Sequence, residues 1–180
     1  MNASDARACF GCHSTTATLP GVGCESCHGP AAKHVAAVRS GNAAEGKMTK
    51  LASLTTEEMS DRCGGCHRTW SQIAVNGPRG VNNVRFQPYR LANSKCYDAA
   101  DDRIRCTACH DPHQNPVRQA AFYDAKCTAC HAPAQHVKTC PQAKSNCTTC
   151  HMPKIELPGA HTAFTDHQIR IARMNAPYPN

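Results

Sequence analysis

Hydrophobic and polar positions along the chain predict short helices separated by irregular stretches. Residues 31–39 are rich in alanine and form one candidate helix. Residues 51–66 form a second candidate, in which Thr55 and Glu58 match the capping box that begins a helix. Residues 162–174 form a third candidate, because apolar side chains recur among its polar ones.

The stretch 70–100 is rich in residues that interrupt regular structure. It contains an Asn-Gly-Pro sequence at 76–78 and a Gln-Pro pair at 87–88. We therefore expect residues 70–100 to be extended and irregular. Short helices are expected before Cys127 and Cys147. No apolar run in the chain is long enough to span a membrane.

The pentapeptide Cys-x-x-Cys-His occurs six times. It is the attachment signature of a c-type haem, in which both sulfurs bond the porphyrin and the histidine binds the iron as proximal ligand. One copy would also fit a zinc half-site or a redox dithiol, but six copies in one chain do not. The predicted attachment residues are Cys9, Cys12, Cys24, Cys27, Cys63, Cys66, Cys106, Cys109, Cys127, Cys130, Cys147 and Cys150. The predicted proximal ligands are His13, His28, His67, His110, His131 and His151.

The low apolar content and the net charge of the chain must be interpreted together with six haems. Bulky apolar side chains are too sparse for an ordinary core, and the porphyrins would supply the missing apolar volume. The formal charge of +7 would by itself indicate a nucleic-acid or anionic-surface binder. The haem propionates shift that charge to about +1 in the oxidised protein and about −5 in the reduced protein. We therefore expect no nucleic-acid partner, and we expect several arginines (Arg85, Arg90, Arg103 and Arg105) to pair with propionates.

Five histidines lie outside the motifs and are candidate distal ligands of the haem irons. They are His34, His113, His136, His161 and His167. Chain reach limits one assignment: three residues span at most about 10–11 Å, which is too short to bridge the two faces of one iron. His113 therefore cannot share an iron with His110 and is expected to reach another haem.

Five distal histidines for six irons leave one ligand short, and three explanations are open. The missing ligand lies upstream of Met1 in a longer protein, or it comes from a neighbouring subunit. Alternatively, one haem is five-coordinate and open to a small molecule. The last case would make the chain an oxidoreductase acting on a small nitrogen or sulfur compound.

Two cysteines, Cys96 and Cys140, lie outside every motif. In an exported protein, leftover cysteines most often form a disulfide, which is the expectation for this pair. A free structural thiol or an iron ligand is the alternative for either residue.

Several segments resemble the multihaem cytochromes c of the cytochrome c-554-like group, such as Cys-Thr-Ala-Cys-His-Asp-Pro-His at 106–113. The other segments are 21–30 together with His34, 85–90, 147–154 and 161–167. The resemblance implies distal ligand roles for His34, His113, His161 and His167. Members of the group are often fused to tetratricopeptide repeats and carry further haem-binding sequence upstream, which favours the upstream explanation for the missing ligand.

The fold expected is mostly irregular with short α-helices packed around haems, and with essentially no β-sheet. One hexahaem domain covers residues 1–180, with lobes at 1–69 and 101–175 joined by the irregular 70–100. The expected function is electron transfer through six haem c groups, mostly bis-histidine ligated. A subunit of an extracellular cytochrome filament and a purely structural or docking module are the other classes that fit.

The expected partners are redox proteins or other cytochromes, a second copy in a polymer, or fused tetratricopeptide repeats. Haem c is attached outside the cytoplasm, so we expect a periplasmic or extracellular protein whose export signal is not in this chain.

Overall fold

The computed structural model describes residues 14–16, 19–132, 140–160, 162–173 and 176. Its helices are α1 (Cys24–His28), α2 (Ala32–Arg39), α3 (Thr56–His67), α4 (Trp70–Asn76), α5 (Gln87–Ala92), α6 (Cys106–Cys109), α7 (Asp124–His131) and α8 (Cys147–His151). Three short 3-10 helices lie at Leu51–Ser53, Gly80–Arg85 and Ala120–Tyr123 in the described part of the chain. Two antiparallel strand pairs join β1 (Ser14–Thr16) to β2 (Leu19–Pro20), and β3 (Lys154–Glu156) to β4 (Ala163–Thr165). The predicted fold class, short helices in an irregular chain with minimal β-structure, is confirmed.

The capping box predicted at the start of α3 is present. The Thr55 hydroxyl accepts a hydrogen bond from the Glu58 backbone N–H at 3.2 Å, and the Glu58 carboxylate accepts one from the Thr55 N–H at 2.8 Å. Because of this cap, the α-helix begins at Thr56. The helix expected over 51–66 therefore starts five residues later than predicted. The helix predicted over 31–39 is confirmed as α2.

The prediction that residues 70–100 are irregular is wrong. This stretch contains α4, a 3-10 segment and α5, and its breakers bound these helices instead of preventing them. Gly77 follows the last residue of α4, and a β-carbon there would lie within 2.7 Å of Ile73 atoms. Pro88 lies in the first turn of α5, where a backbone N–H is not needed.

The helix predicted over 162–174 is also wrong. Residues 163–165 form β4, which pairs with β3 so that Phe164 lies opposite Ile155. Ile155 is buried, and this pairing outweighs the weak helical preference of the segment. The expected helix before Cys127 is confirmed as the first turn of α7, whereas the helix near Cys147 begins at that cysteine.

The apolar core of the described residues is small and lies mostly away from the Cys-x-x-Cys-His motifs. Its buried members are Met59, Ile73, Val84, Leu91 and Ile155. Helix α3 contacts α5 on this core and α6 beside it. The division into two lobes stays a prediction.

Candidate haem-binding sites

Each described Cys-x-x-Cys-His motif lies on a helical turn. The motif of Cys24 forms the whole of α1 and that of Cys147 the whole of α8. The motifs of Cys63 and Cys127 end α3 and α7, and that of Cys106 forms α6 with His110 directly after it. Residues three and four apart lie on one face of a helix, so both sulfurs and the following imidazole share a side. The first motif (Cys9, Cys12 and His13) lies outside the described residues.

Four of the motif helices are not buried by other parts of the protein. Helices α1, α6, α7 and α8 have no buried residue. A large flat apolar group bonded to two of these sulfurs would cover the shared side of each turn. The arrangement therefore fits haem attachment.

Five histidines direct the same ring nitrogen at an oxygen that can only accept a hydrogen bond. The Nδ1 contacts are His28 to Thr49 O (2.8 Å), His34 to Gly46 O (2.9 Å), His67 to Gln87 Oε1 (3.0 Å), His151 to Arg170 O (2.9 Å) and His167 to Thr165 O (3.0 Å). Because Nδ1 must donate in each case, the neutral ring keeps its lone pair on Nε2. This is the usual arrangement of a metal-binding histidine, so the donor set fits an iron ligand.

Two histidine pairs have the separation expected across one iron. The ring centres of His28 and His113 lie 6.3 Å apart with planes only 8° from parallel, and those of His110 and His167 lie 6.2 Å apart. With a metal–imidazole bond of about 2.0 Å, each of these separations would leave room for one iron held between the two rings. Each pair joins a predicted proximal histidine to a predicted distal one.

The imidazole of His167 is neutral, as an iron ligand must be. Burial lowers its pKa to about 4, and the neighbouring His110 adds to the lowering. Burial also lowers the pKa of His110, with a further contribution from His67. Three predicted ligands from distant parts of the chain, at 67, 110 and 167, therefore lie near one another.

Attachment cysteines from successive motifs touch one another. The Cys106 thiol donates to the sulfur of Cys63, which lowers the pKa of Cys63 to about 7. Cys127 and Cys147 form a similar contact. Arg62 donates to the Cys27 carbonyl, with its Nε at 2.8 Å.

The contacts give the motifs a continuous order in space. The second motif adjoins the third through Arg62 and Cys27, and the third adjoins the fourth through their cysteines. The fifth adjoins the sixth in the same way, and the His110 ring of the fourth motif lies 5.6 Å from that of Tyr123, the residue directly before α7. The five described motifs therefore form one connected series.

Hydrogen bonds between a carboxylate and backbone N–H groups also join the fifth and sixth motifs. The Asp124 carboxylate, in the first turn of α7, accepts hydrogen bonds from the backbone N–H groups of Asn146 (2.7 Å) and Cys147 (2.9 Å). Cys147 is the first residue of α8, so α7 holds the start of the next motif helix.

The arginines expected to bind propionates mostly have protein partners. Arg90 forms a buried bidentate pair with Asp166, and Arg103 pairs with Asp101. Arg105 donates to the Leu54 carbonyl at 2.9 Å. The Arg85 guanidinium lies over the Phe164 ring, 5.5 Å from its centre. Sequence reasoning missed Asp166 entirely; the one signal was an arginine within the otherwise apolar stretch Pro-Tyr-Arg-Leu-Ala of α5.

The two cysteines outside the motifs are free thiols in the structure. Burial raises the pKa of Cys96, and the charge of the nearby Cys130 adds to it. Backbone N–H groups of Gln142 and Ala143 lower the pKa of Cys140. The disulfide between them stays a prediction.

The distal ligand candidates His136 and His161 lie outside the described residues. Among the residues the structure does describe, no cluster of three or more His, Cys, Asp or Glu side chains is arranged to hold a metal ion by itself. In the same part of the chain, every helix is too short or too polar to cross a membrane.

Comparison with known proteins gives one distant relative, the multihaem cytochrome MtrA of Shewanella baltica (strain OS185). Identity is 25% over 166 residues, which cover 90% of this chain and 42% of the relative. The chain thus spans less than half the length of the curated relative it matches. No protein-family model and no solved structure matches it. The repeated motifs, their helical placement and this similarity together support a multihaem cytochrome c.

Proposed function

We propose that the chain transfers electrons through six covalently bound c-type haems. The observation that carries the proposal is the connected series of motifs, in which attachment cysteines of the third and fourth motifs, and of the fifth and sixth, are in contact and Arg62, beside the third, donates a hydrogen bond to the second. Haem iron supplies one-electron redox chemistry within a covalently attached ring. Sites anchored on touching residues are close enough together to serve as one relay.

The axial pairs that the geometry favours are His28 with His113 and His110 with His167. The first pair agrees with the limit of chain reach, which forbids His113 from sharing an iron with His110. His34 is a third distal candidate, because its Nδ1 is already bonded to the Gly46 carbonyl. We assign His136 and His161 to the same role from their sequence alone.

The protein orients the ligand imidazoles and makes their Nε2 atoms more basic. Carbonyl and amide oxygens hold Nδ1–H, which orients each ring and makes Nε2 a stronger donor. Two imidazoles per iron give lower potentials than a Met/His pair. Met59 of α3 is buried in the apolar core, where its thioether packs against other side chains.

The partners we propose are other cytochromes or redox proteins outside the cytoplasm. The relative's name describes a multihaem cytochrome, which is compatible with such a chain of carriers. Membership of the cytochrome c-554-like group, fusion to tetratricopeptide repeats and assembly into a filament are further proposals that rest on the sequence resemblance.

A second candidate function follows from the ligand count. Eleven histidines provide six proximal and five distal ligands for six irons. One iron without a distal ligand would bind a small nitrogen or sulfur compound and make the chain an oxidoreductase.

The experiment is to produce the chain with a haem-attachment system and to measure haem content and spin state. We expect the mass of six haems on the intact chain and low-spin signals from at least five irons by electron paramagnetic resonance. Rapid reduction of all haems by a small reductant would complete the evidence for a relay. Fewer than three attached haems, or mainly high-spin iron, would contradict electron transfer as the main role.

A further inference from the structure

A polar cluster that lies outside every motif centres on Asp166. Its side chain is fully buried. Its carboxylate accepts hydrogen bonds from Arg90 Nε and Nη2, both at 2.8 Å, from Arg170 Nη1 at 2.6 Å and from the Gln168 backbone N–H at 3.1 Å. Both carboxylate oxygens are therefore held, which leaves Asp166 a single orientation.

Asp166 anchors a loop, residues 166–170, to the end of α5. Next to the Arg90 contact, the Ser94 hydroxyl accepts the Ile169 N–H at 2.8 Å and donates to the His167 carbonyl at 3.3 Å. The Gln168 amide donates to the Asn93 carbonyl at 3.3 Å. The loop is thus attached along its length to one helix end.

The same loop contacts two predicted haem ligands. Its first part places the His167 ring 6.2 Å from that of His110. Its last residue, Arg170, accepts a hydrogen bond from His151 Nδ1 at 2.9 Å and donates its backbone N–H to the His151 carbonyl at 3.2 Å. Among the described hydrogen bonds, none joins the Asp166 carboxylate to either imidazole, yet Asp166 fixes the backbone that orients both.

We propose that Asp166 is a positioning residue for two haem centres, those of His110 and His151. By fixing the 166–170 loop against α5, it holds His167 at the fourth haem and aims the Arg170 carbonyl at the proximal histidine of the sixth. Because a buried charged group adds little net stability over an apolar one, its role here is to select one loop geometry. The inference rests on the proposed haem ligation.

The test compares Asp166→Ala and Asp166→Asn with the wild-type holoprotein. The measurements are haem content by mass, spin state by electron paramagnetic resonance, and potentiometric titration of the haems. In Asp166→Ala we expect all haems to remain attached, about one haem in six to become high-spin as His167 leaves the iron, and a second haem to change potential. His167→Ala should give the same high-spin haem without the change at the second one.

Two further variants keep the test decisive. Asp101→Asn changes a carboxylate of an exposed arginine pair and should leave every spectrum as in wild type. Ser94→Ala removes a milder loop contact and should shift the same two potentials by less, so it decides the question if Asp166→Ala does not fold. Wild-type spectra and potentials in Asp166→Ala, or wild-type potentials in Ser94→Ala where Asp166→Ala does not fold, would overturn the positioning role and leave electron transfer standing, whereas wild-type protein without low-spin haem would overturn the proposed function itself.

Discussion

The motif helices and the motif-free stretch 70–100 are built on different principles. Helices α1, α6, α7 and α8 consist almost entirely of haem-attachment sequence, and no residue in them is buried. The stretch 70–100 carries no motif, yet it contains Ile73, Val84 and Leu91, three of the five buried apolar residues in the described part of the chain. Most of the protein's own core thus lies away from the predicted haem-attachment motifs, although Met59 belongs to α3, which carries one of them.

This difference indicates which contacts stabilise each region. The stretch 70–100 is stabilised by side-chain packing and the buried Arg90–Asp166 pair. Helices α1, α6, α7 and α8 bury no residue, so we expect their order to depend on attached cofactors and on hydrogen bonds to the predicted ligand histidines. Changes in the first region should therefore alter the free energy of unfolding, and changes in the second should alter the haems.

The largest effect is expected from Arg90→Ala. The change removes the bidentate partner of a buried carboxylate, and breaking a buried pair costs about 3–5 kcal/mol. Denaturant unfolding of the holoprotein followed by far-ultraviolet circular dichroism measures it. Arg103→Ala is the control, because its guanidinium is exposed, and it should unfold like wild type. Equal loss of stability in both variants would contradict a core centred on α5.

A slightly smaller effect is expected from Met59→Ala. Met59 is 2% exposed, and truncating a buried methionine costs about 2–5 kcal/mol through lost burial and a cavity. The matched change Val75→Ala lies on α4 at 76% exposure and should alter stability by less than about 0.5 kcal/mol. The same unfolding assay distinguishes them, and a similar cost at Val75 would show that a haem covers that face of α4.

A local and pH-dependent effect is expected from Asp124→Asn. Backbone N–H groups of Cys147 and Asn146 lower the pKa of Asp124. Its stabilising contribution is therefore present above the unfolded pKa of about 3.9 and is lost as the pH falls through the lower folded value. The difference between wild type and variant, measured as amide hydrogen exchange near α8, should shrink below pH 4. A difference that does not change with pH would exclude the carboxylate as its source.

The smallest effect is expected from Gln87→Glu, at a single haem. Gln87 is the one side chain among the five oxygen partners of histidine Nδ1 described above, and it faces His67 at 3.0 Å. A carboxylate there would make His67 more basic and lower the potential of the third haem, whereas Gln87→Leu would remove the hydrogen bond and raise it. Potentiometric titration checks both directions, and identical titrations of both variants would contradict the contact.

Local sequence patterns predicted only part of the helical structure. The capping box at Thr55 was reliable because both of its hydrogen bonds form within four residues. The stretch 70–100 was misjudged because Gly77 and Pro88 serve as helix boundaries, and a breaker in sequence does not say whether it ends a helix or prevents one. The segment 162–174 was misjudged because its partner strand lies at 154–156.

The sequence by itself predicted the chemistry, since the six Cys-x-x-Cys-His motifs indicate covalent haem attachment and proximal ligands within five residues each. Chain reach also sufficed to separate His113 from His110. Only the tertiary structure decided which distant groups meet: His113 with His28, His167 with His110, and Arg90 with Asp166. These contacts join residues 57 to 85 positions apart in the chain, and no local pattern records them because they form only when the whole chain packs.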